Sequence, residues 1–478
     1  MTRQSIERSV IAPSPVMFAS MERAERHSTG APVACPAPEP DFSAAARILL
    51  GLLFVALICL RLPNVVWSGR FYAEEGEFFF AYAWHMPWER ALWHPLGGYL
   101  NLVASASTLL AKVLVEKAWV PLEDAPYVTE AVALFFQTCP AILILSSRAS
   151  WLRPRWALIA ALAVLATPPL AEQVWLHTLH SQFHLALCAA VILATDAEAG
   201  LALALFRICL LILGPLCGPA SIVMLPFFVA RAILEGARAR WLQTSALALG
   251  SALQLSLFYS ASGARSYHID ADVLACVMFV RHLMLPFLGP VLAMRYGHDI
   301  RVMVGAGGMP WAIVALSVIL FGGLAIVSLR RWREAPAWLL IPGLVLAAVS
   351  YFGAIRAGPA LLTVEFATRY AFVPQVLIGF ALLAFATSRR GRLSKICAVA
   401  TAWIVAVGVV SYFQPLSSLA EGPDWRSEVA AWRADPEHRL AAWPKGWLVD
   451  LAPTKAQCSP DPKAADQPDF CDQYWEKL

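Results

Sequence analysis

The chain has 478 residues, 59% of them apolar and 15% charged, with a mean hydropathy of +0.60, against roughly a quarter charged in an ordinary soluble domain. That composition excludes a water-soluble globular protein. The small basic excess, 37 Lys and Arg against 33 Asp and Glu for a net charge of +4, sits in short clusters between apolar runs and in no nucleic-acid motif, so it reports membrane topology.

Residues 1–44 are polar and rich in Pro, Ser and Ala, with no basic-then-apolar pattern ending at a small-residue cleavage site, so a disordered cytoplasmic tail is expected there. A transmembrane domain is expected over 45–413, and a short extracytoplasmic tail over 414–478. A helix crossing the hydrocarbon needs about 20 mainly apolar residues. Eleven such runs start near Ala46, Tyr127, Trp156, His180, Leu201, Pro219, Trp241, Trp311, Ala337, Phe366 and Ile396. Two further stretches, Tyr99 to Val115 and Asp272 to Met294, carry polar interruptions (Asn101, Lys112, Arg281, His282) and would raise the count to 13. The expected class is therefore an all-α polytopic membrane protein.

Four basic clusters fix the expected orientation: Arg148, Arg153 and Arg155; Arg231, Arg238 and Arg240; Arg330, Arg331 and Arg333; Arg389, Arg390, Arg392 and Lys395. Arg and Lys are retained on the cytoplasmic side. With eleven spans and a cytoplasmic N-terminus all four clusters fall inside, whereas thirteen spans would export three of them. The two interrupted stretches are accordingly expected to be re-entrant, interfacial or partial helices. Seven cysteines (Cys59, Cys139, Cys188, Cys209, Cys217, Cys276, Cys397) lie in apolar runs and read as small buried hydrophobes. Cys458 and Cys471 share the polar tail and have the composition of a disulfide pair if that tail is outside the cytoplasm.

The first outer loop, 67–100, is dense in aromatic rings, which suit a membrane interface. Set among them are Glu74, Glu75, Glu77, His85, His94 and Pro95. Carboxylates at a lipid surface are costly without a partner or a task. Glu75, or failing it Glu74, is expected to act as general base or to align an acceptor hydroxyl, its pKa raised by burial, and Glu75 is put first with Glu74 as its neighbour.

A first span, an outer loop opening on a diacidic motif (Glu74, Glu75), aromatic interfacial helices and a His94–Pro95 turn into the next helix together resemble the GT-C superfamily of integral-membrane glycosyltransferases. The resemblance covers about the first hundred residues and the overall architecture. It implies a loop carboxylate as catalytic residue and a polyprenyl-phosphate sugar as donor. The acidic pair common in that group contains Asp where this chain has two Glu, so the subfamily stays open.

Farther along, His177, His180 and His184 follow spacings of three and four and are expected on one helical face with Gln173. With no carboxylate at a ligand spacing, a metal is not favoured there, and Glu172 and His180 are instead expected to contact the sugar. Arg369, beside Tyr370 at the outer end of a late span, has the forked donors that would hold the donor phosphate. Arg356, Arg281 and Arg265 are lower-ranked outer arginines. Tail tryptophans Trp425, Trp432, Trp443 and Trp447 suggest a structural cap on the membrane face.

The leading expectation is thus a cell-membrane glycosyltransferase passing a sugar from a polyprenyl-phosphate donor to a glycan, lipid or protein acceptor on the extracytoplasmic face, with no cofactor and no nucleic-acid partner. The alternatives are a transporter or flippase of a lipid-linked or small polar substrate, and an inert envelope scaffold.

Overall fold

The computed structural model describes residues 42–260, 270–354, 358–388 and 391–452. The expected tail at 1–44 falls almost wholly outside them, as do Arg265, Arg356, Cys458 and Cys471. The described chain is almost entirely helical: α1 Ala44–Arg61, α2 Pro63–Ser68, α3 Ala81–His85, α4 Trp88–Trp93, α5 Leu102–Glu116, α6 Ala125–Ser146, α7 Arg155–Ala166, α8 Ser181–Ala194, α9 Leu201–Leu216, α10 Leu225–Glu235, α11 Arg238–Ser260, α12 Ala271–Phe279, α13 Leu285–Gly305, α14 Trp311–Leu329, α15 Ala335–Gly353, α16 Arg369–Ser388, α17 Arg392–Tyr412, α18 Ser417–Ala420 and α19 Trp425–Ala434. A two-stranded antiparallel hairpin closes it, β1 Leu440–Ala442 on β2 Trp447–Val449.

Helices dominate because a backbone in hydrocarbon must satisfy its own N–H and C=O groups. Every residue of α8 is buried, and α16 is buried over 83% of its most apolar window. These two form the axis of the bundle, with α6, α7 and α15 packed around them. By contrast α1, α14 and α17 are buried over only 11–17% of theirs and expose Ile48, Leu49, Leu52, Val318, Ile319, Val399 and Val410. Such helices suit lipid contact. Of the seven apolar cysteines, five are buried; Cys59 is half-buried and Cys209 exposed.

The span count differs from the sequence reading. Seven described helices are long and apolar enough to cross a membrane, or eight if one bent pair counts as a span. The runs at Trp156 and His180 form helices of 12 and 14 residues, too short at 1.5 Å per residue for a 30 Å core. The runs at Leu201 and Pro219 are the two arms of that pair, bent by 118°. The run at Trp241 becomes α11, long enough but diluted by Gln243, Thr244, Ser245, Ser251 and Gln254.

Of the two stretches expected to be re-entrant, interfacial or partial, Tyr99 to Val115 forms α5, 15 residues long, and Asp272 to Met294 belongs to the longest helical run, Ala271–Gly305, of 35 residues. That run breaks at Gly289, whose φ of 83° and ψ of 171° no other residue adopts cheaply. A Cβ on Gly297 would lie 3.3 Å from Val280 Cγ1, residues that a straight helix would hold about 25 Å apart. The run is therefore a hairpin, 271–288 going out and 290–305 returning.

The described members of all four basic clusters, Arg389 and Arg390 lying outside the described residues, share one end of the bundle. Arg240 donates to Ile192 O (3.0 Å) and Thr195 O, and the Trp151 indole donates to Ala194 O at 3.3 Å, so the first two clusters meet at the C-terminus of α8. Arg231 lies 5.4 Å from the Trp338 ring and Arg331 5.7 Å from the Phe385 ring, which joins the third cluster and the end of α16 to the same face. The other end carries the N-termini of α8 and α16 and the C-terminus of α1, where Arg61 meets Glu172.

Candidate functional site

At the end opposite the basic clusters, three loops converge, each entering through a non-glycine residue at positive φ. Ala73 (49°) precedes Glu74, Leu176 (58°) precedes His177, and Ala367 (52°) precedes Thr368 and Arg369. A left-handed L-residue costs roughly 1–2 kcal/mol, and such strain collects where the fold aims side chains for a purpose.

The acidic loop folds as a π-helix, Glu75–Phe80, running into α3. Glu75 is fully buried. Its Oε1 accepts from the Thr178 amide at 2.7 Å and from the Thr178 hydroxyl, which in turn accepts from Ser107 Oγ at 3.1 Å. Its Oε2 accepts from the Tyr72 amide at 3.2 Å. Burial pushes this carboxyl above the usual range, and the Thr178 and Tyr72 donors act against that push. Glu75 thus joins the first loop to the second.

Glu74 is different. It is half-buried, and burial raises its carboxyl above the ordinary value while the positive charge of Arg369 draws it back. Glu77 lies toward the tail, in the field of Arg439. Gly76 is required beside the pair: a Cβ there would come within 2.9 Å of both Phe71 and Val449.

Gln173 ties the second and third loops. Its carbonyl oxygen faces His177 Nε2 at 2.7 Å and His180 Nδ1 at 2.6 Å, and its side-chain oxygen accepts from Thr368 Oγ1 and the Arg369 amide, both at 3.2 Å. The three histidines do not share a helical face, because 172–180 is one 3₁₀ turn followed by irregular chain and α8 begins only at Ser181. His177 stacks on Tyr72 at 4.2 Å and meets His180 at 4.7 Å, while His184 lies deeper, against Trp175 and Phe372. Burial holds His177 and His180 well below the usual imidazole range, helped for His180 by Arg369. Both rings are neutral near pH 7. Among the described residues no three His, Cys, Asp or Glu side chains converge as a metal would need.

The Arg369 guanidinium lies 4.8 Å from the Tyr370 ring, which packs on Phe183 at 6.1 Å. Its loop is held by Arg281, fully buried in the hairpin, which donates to the carbonyls of Leu361 (2.7 Å), Thr363 (2.8 Å), Phe366 (2.5 Å) and Ala367 (3.4 Å). Arg281 is a clamp on backbone. Glu172 likewise turns away from the loops, buried against Arg61 at 3.0 Å. His94 packs on Tyr82 at 4.6 Å, with Nε2 buried and unbonded and its pKa lowered by burial.

Glu74, Arg369 and His180 are therefore neighbours, with Glu75 and Gln173 as the ties behind them. Two contributors, Thr178 and Arg70, had no motif in the sequence, and Gln173, expected only beside the histidines, is the hub between loops. Arg70 is buried, donates from its side chain to Leu419 O at 2.7 Å and from its amide to Glu130 at 2.8 Å, and lies over Tyr72 and Trp443. The tail covers the acidic loop: the Ala73 amide donates to Trp443 O, the Trp443 amide donates to Phe71 O at 3.1 Å, and Trp425 packs edge-on to Phe71 at 4.9 Å. No family model matches this chain, and no curated protein matches it.

Proposed function

We propose that this protein is a membrane glycosyltransferase that takes a sugar from a polyprenyl-phosphate donor, with Glu74 as the reacting carboxylate. One observation carries the reading: a half-buried carboxylate at the tip of a strained loop lies in the field of an arginine, at the end of the bundle opposite the basic clusters. With those clusters cytoplasmic, the site faces the extracytoplasmic leaflet, where a lipid-linked donor presents its phosphate at headgroup depth. Glu74 accepts the proton of an acceptor hydroxyl as its oxygen attacks the anomeric carbon; the bond from that carbon to phosphate oxygen breaks, and polyprenyl phosphate leaves. Arg369 neutralises the departing phosphate, and His180, neutral, is placed to hydrogen-bond a sugar hydroxyl. Tyr370 holds the guanidinium in place. Glu75 is the anchor that sets the loop.

A transporter is the second reading, favoured by the bent α9–α10 pair and by buried Arg281 and His282 beside a broken helix, features that line substrate paths in secondary transporters. Purified protein in vesicles, supplied with a panel of radiolabelled polyprenyl-phosphate sugars, separates the two. Label incorporated into an acceptor supports transfer; label crossing the bilayer still attached to its carrier overturns it in favour of transport.

A further inference from the structure

The outer side of α5 and α6 carries an open groove of about 760 Å³, within the range of small-molecule sites. Its walls include Leu110 from α5 and Val128, Ala131 and Val132 from α6, and its mouth is ringed by Trp119, Asp124, Tyr127 and Arg426. The other side of α6 faces inward, where Glu130 accepts from the Arg70 amide at 2.8 Å. Glu74 and Arg369 take no part in the groove.

Its depth in the bilayer follows from α6 itself. At the basic end Arg155 lies 5.4 Å from the Phe42 ring, and Arg47 donates to Phe42 O at 3.3 Å and to Leu145 O. The 3₁₀ turn Leu122–Asp124 runs directly into α6. At 1.5 Å per residue Asp124 therefore stands about 30 Å from Leu145, the thickness of a hydrocarbon core. The mouth lies at headgroup depth, and the walls lie among acyl chains. Trp119, exposed by 77%, and Trp67, exposed by 81%, are the rings expected at that boundary; the Tyr127 hydroxyl donates to Trp67 O at 2.6 Å. Below the groove α6 continues with exposed Phe135 and Ile142, a path for an acyl chain.

The mouth holds one charge of each sign. Arg426 Nη2 meets Asp124 Oδ1 at 2.6 Å, with the side chains 54% and 35% exposed, and so exposed a pair is easily repartnered. A zwitterionic headgroup complements both: phosphate on the Arg426 fork, and a primary ammonium on the Asp124 carboxylate. An anionic headgroup leaves Asp124 opposed, and a quaternary ammonium has no N–H to donate. We propose that this groove binds phosphatidylethanolamine of the leaflet around the site, its headgroup between Arg426 and Asp124 and one acyl chain along Val128, Ala131 and Val132. The same lipid is expected there whether the protein transfers sugars or transports them.

The test is native mass spectrometry of the full chain released from nanodiscs of equal phosphatidylethanolamine, phosphatidylcholine and phosphatidylglycerol. The wild type is expected to retain phosphatidylethanolamine in preference to both others. Filling the groove by Ala131→Trp, at an exposed position, should cut that retention at least about fivefold, whereas Val399→Trp, exposed on α17, should not. Asp124→Asn should lower the preference for phosphatidylethanolamine over phosphatidylcholine roughly fivefold. A thermal melt confirms that each variant is folded. A wild type that retains phosphatidylethanolamine no better than the other two lipids overturns the proposal. So does an Ala131→Trp or Asp124→Asn protein as selective as the wild type, or a Val399→Trp protein that loses as much. Displacement of the retained lipid by added polyprenyl phosphate, one molecule for one, would assign the groove to that carrier and overturn it as well.

Discussion

Adjacent glutamates meet opposite environments within one turn of chain. Glu75 receives two amides and a hydroxyl, whereas Glu74 has a partly open surface and a cation in range. In the sequence Glu75 ranks first as the reacting acid, because a diacidic string carries no sign of which member will be buried as a tie between loops. Gln173 is legible beside the histidines, but its link to Thr368, 195 positions along the chain, has no sign in the sequence. Arg369 stands out in the sequence as an arginine apart from the four basic clusters, and in the fold it lies at the end opposite them. Since burial raises the Glu74 pKa while a backbone hydrogen bond and Arg369 draw it downward, Arg369→Gln should leave burial opposed only by the backbone and move the acid limb of the pH–rate profile to higher pH. A general base works only when ionised, so the variant should lose proportionally more activity at low pH than at high pH. The same substitution removes a charge-assisted contact to donor phosphate and should lower the rate about 10- to 100-fold. A pH profile of transfer by wild type and variant checks both effects; an unmoved acid limb would detach Arg369 from Glu74.

At the scale of the element, apolar runs marked the helices well and their boundaries poorly. The long uniform runs became α1, α6, α14, α15, α16 and α17. What failed were runs whose chain is bent by local chemistry: the runs at Leu201 and Pro219, counted as two spans, are the short arms of one pair bent at Pro215, Gly218 and Pro219, and a left-handed Leu176 denies 172–180 the helix that its histidine spacing suggested. Gly289 is the sharpest case. Its backbone conformation is essentially restricted to glycine, so Gly289→Ala should cost about 1–3 kcal/mol, even though a Cβ there meets nothing closer than Val407 at 3.7 Å. Thermal unfolding of the detergent-purified variant measures it. Because Arg281 on the outgoing limb clamps the 358–367 loop, part of the loss should appear as weakened donor binding. A variant as stable as wild type would mean that the hairpin relaxes without strain.

For the whole molecule, the basic clusters pointed correctly to a shared end, and the fold brings them together through contacts no run of sequence could specify, such as Arg231 on Trp338. The tail tryptophans also read rightly as a cap, packed over the acidic loop and tied to it by main-chain bonds at Trp443. With the basic end in the cytoplasm, a cysteine placed at Lys445 in a background without native cysteines should react with an impermeant thiol reagent in intact cells. One placed at Arg153 should react only after permeabilisation. The reverse pattern would put Glu74 on the wrong side for an outer-leaflet donor.

The reaction itself turns on which carboxylate takes the proton. In a single-turnover assay with the radiolabelled donor that the wild type accepts, Glu74→Gln should slow transfer by at least about 100-fold with unfolding temperature unchanged. Glu75→Gln, whose remaining carbonyl oxygen still accepts from Thr178, should keep substantially more activity and lose stability instead. Near-normal transfer by the Glu74→Gln protein would contradict the account.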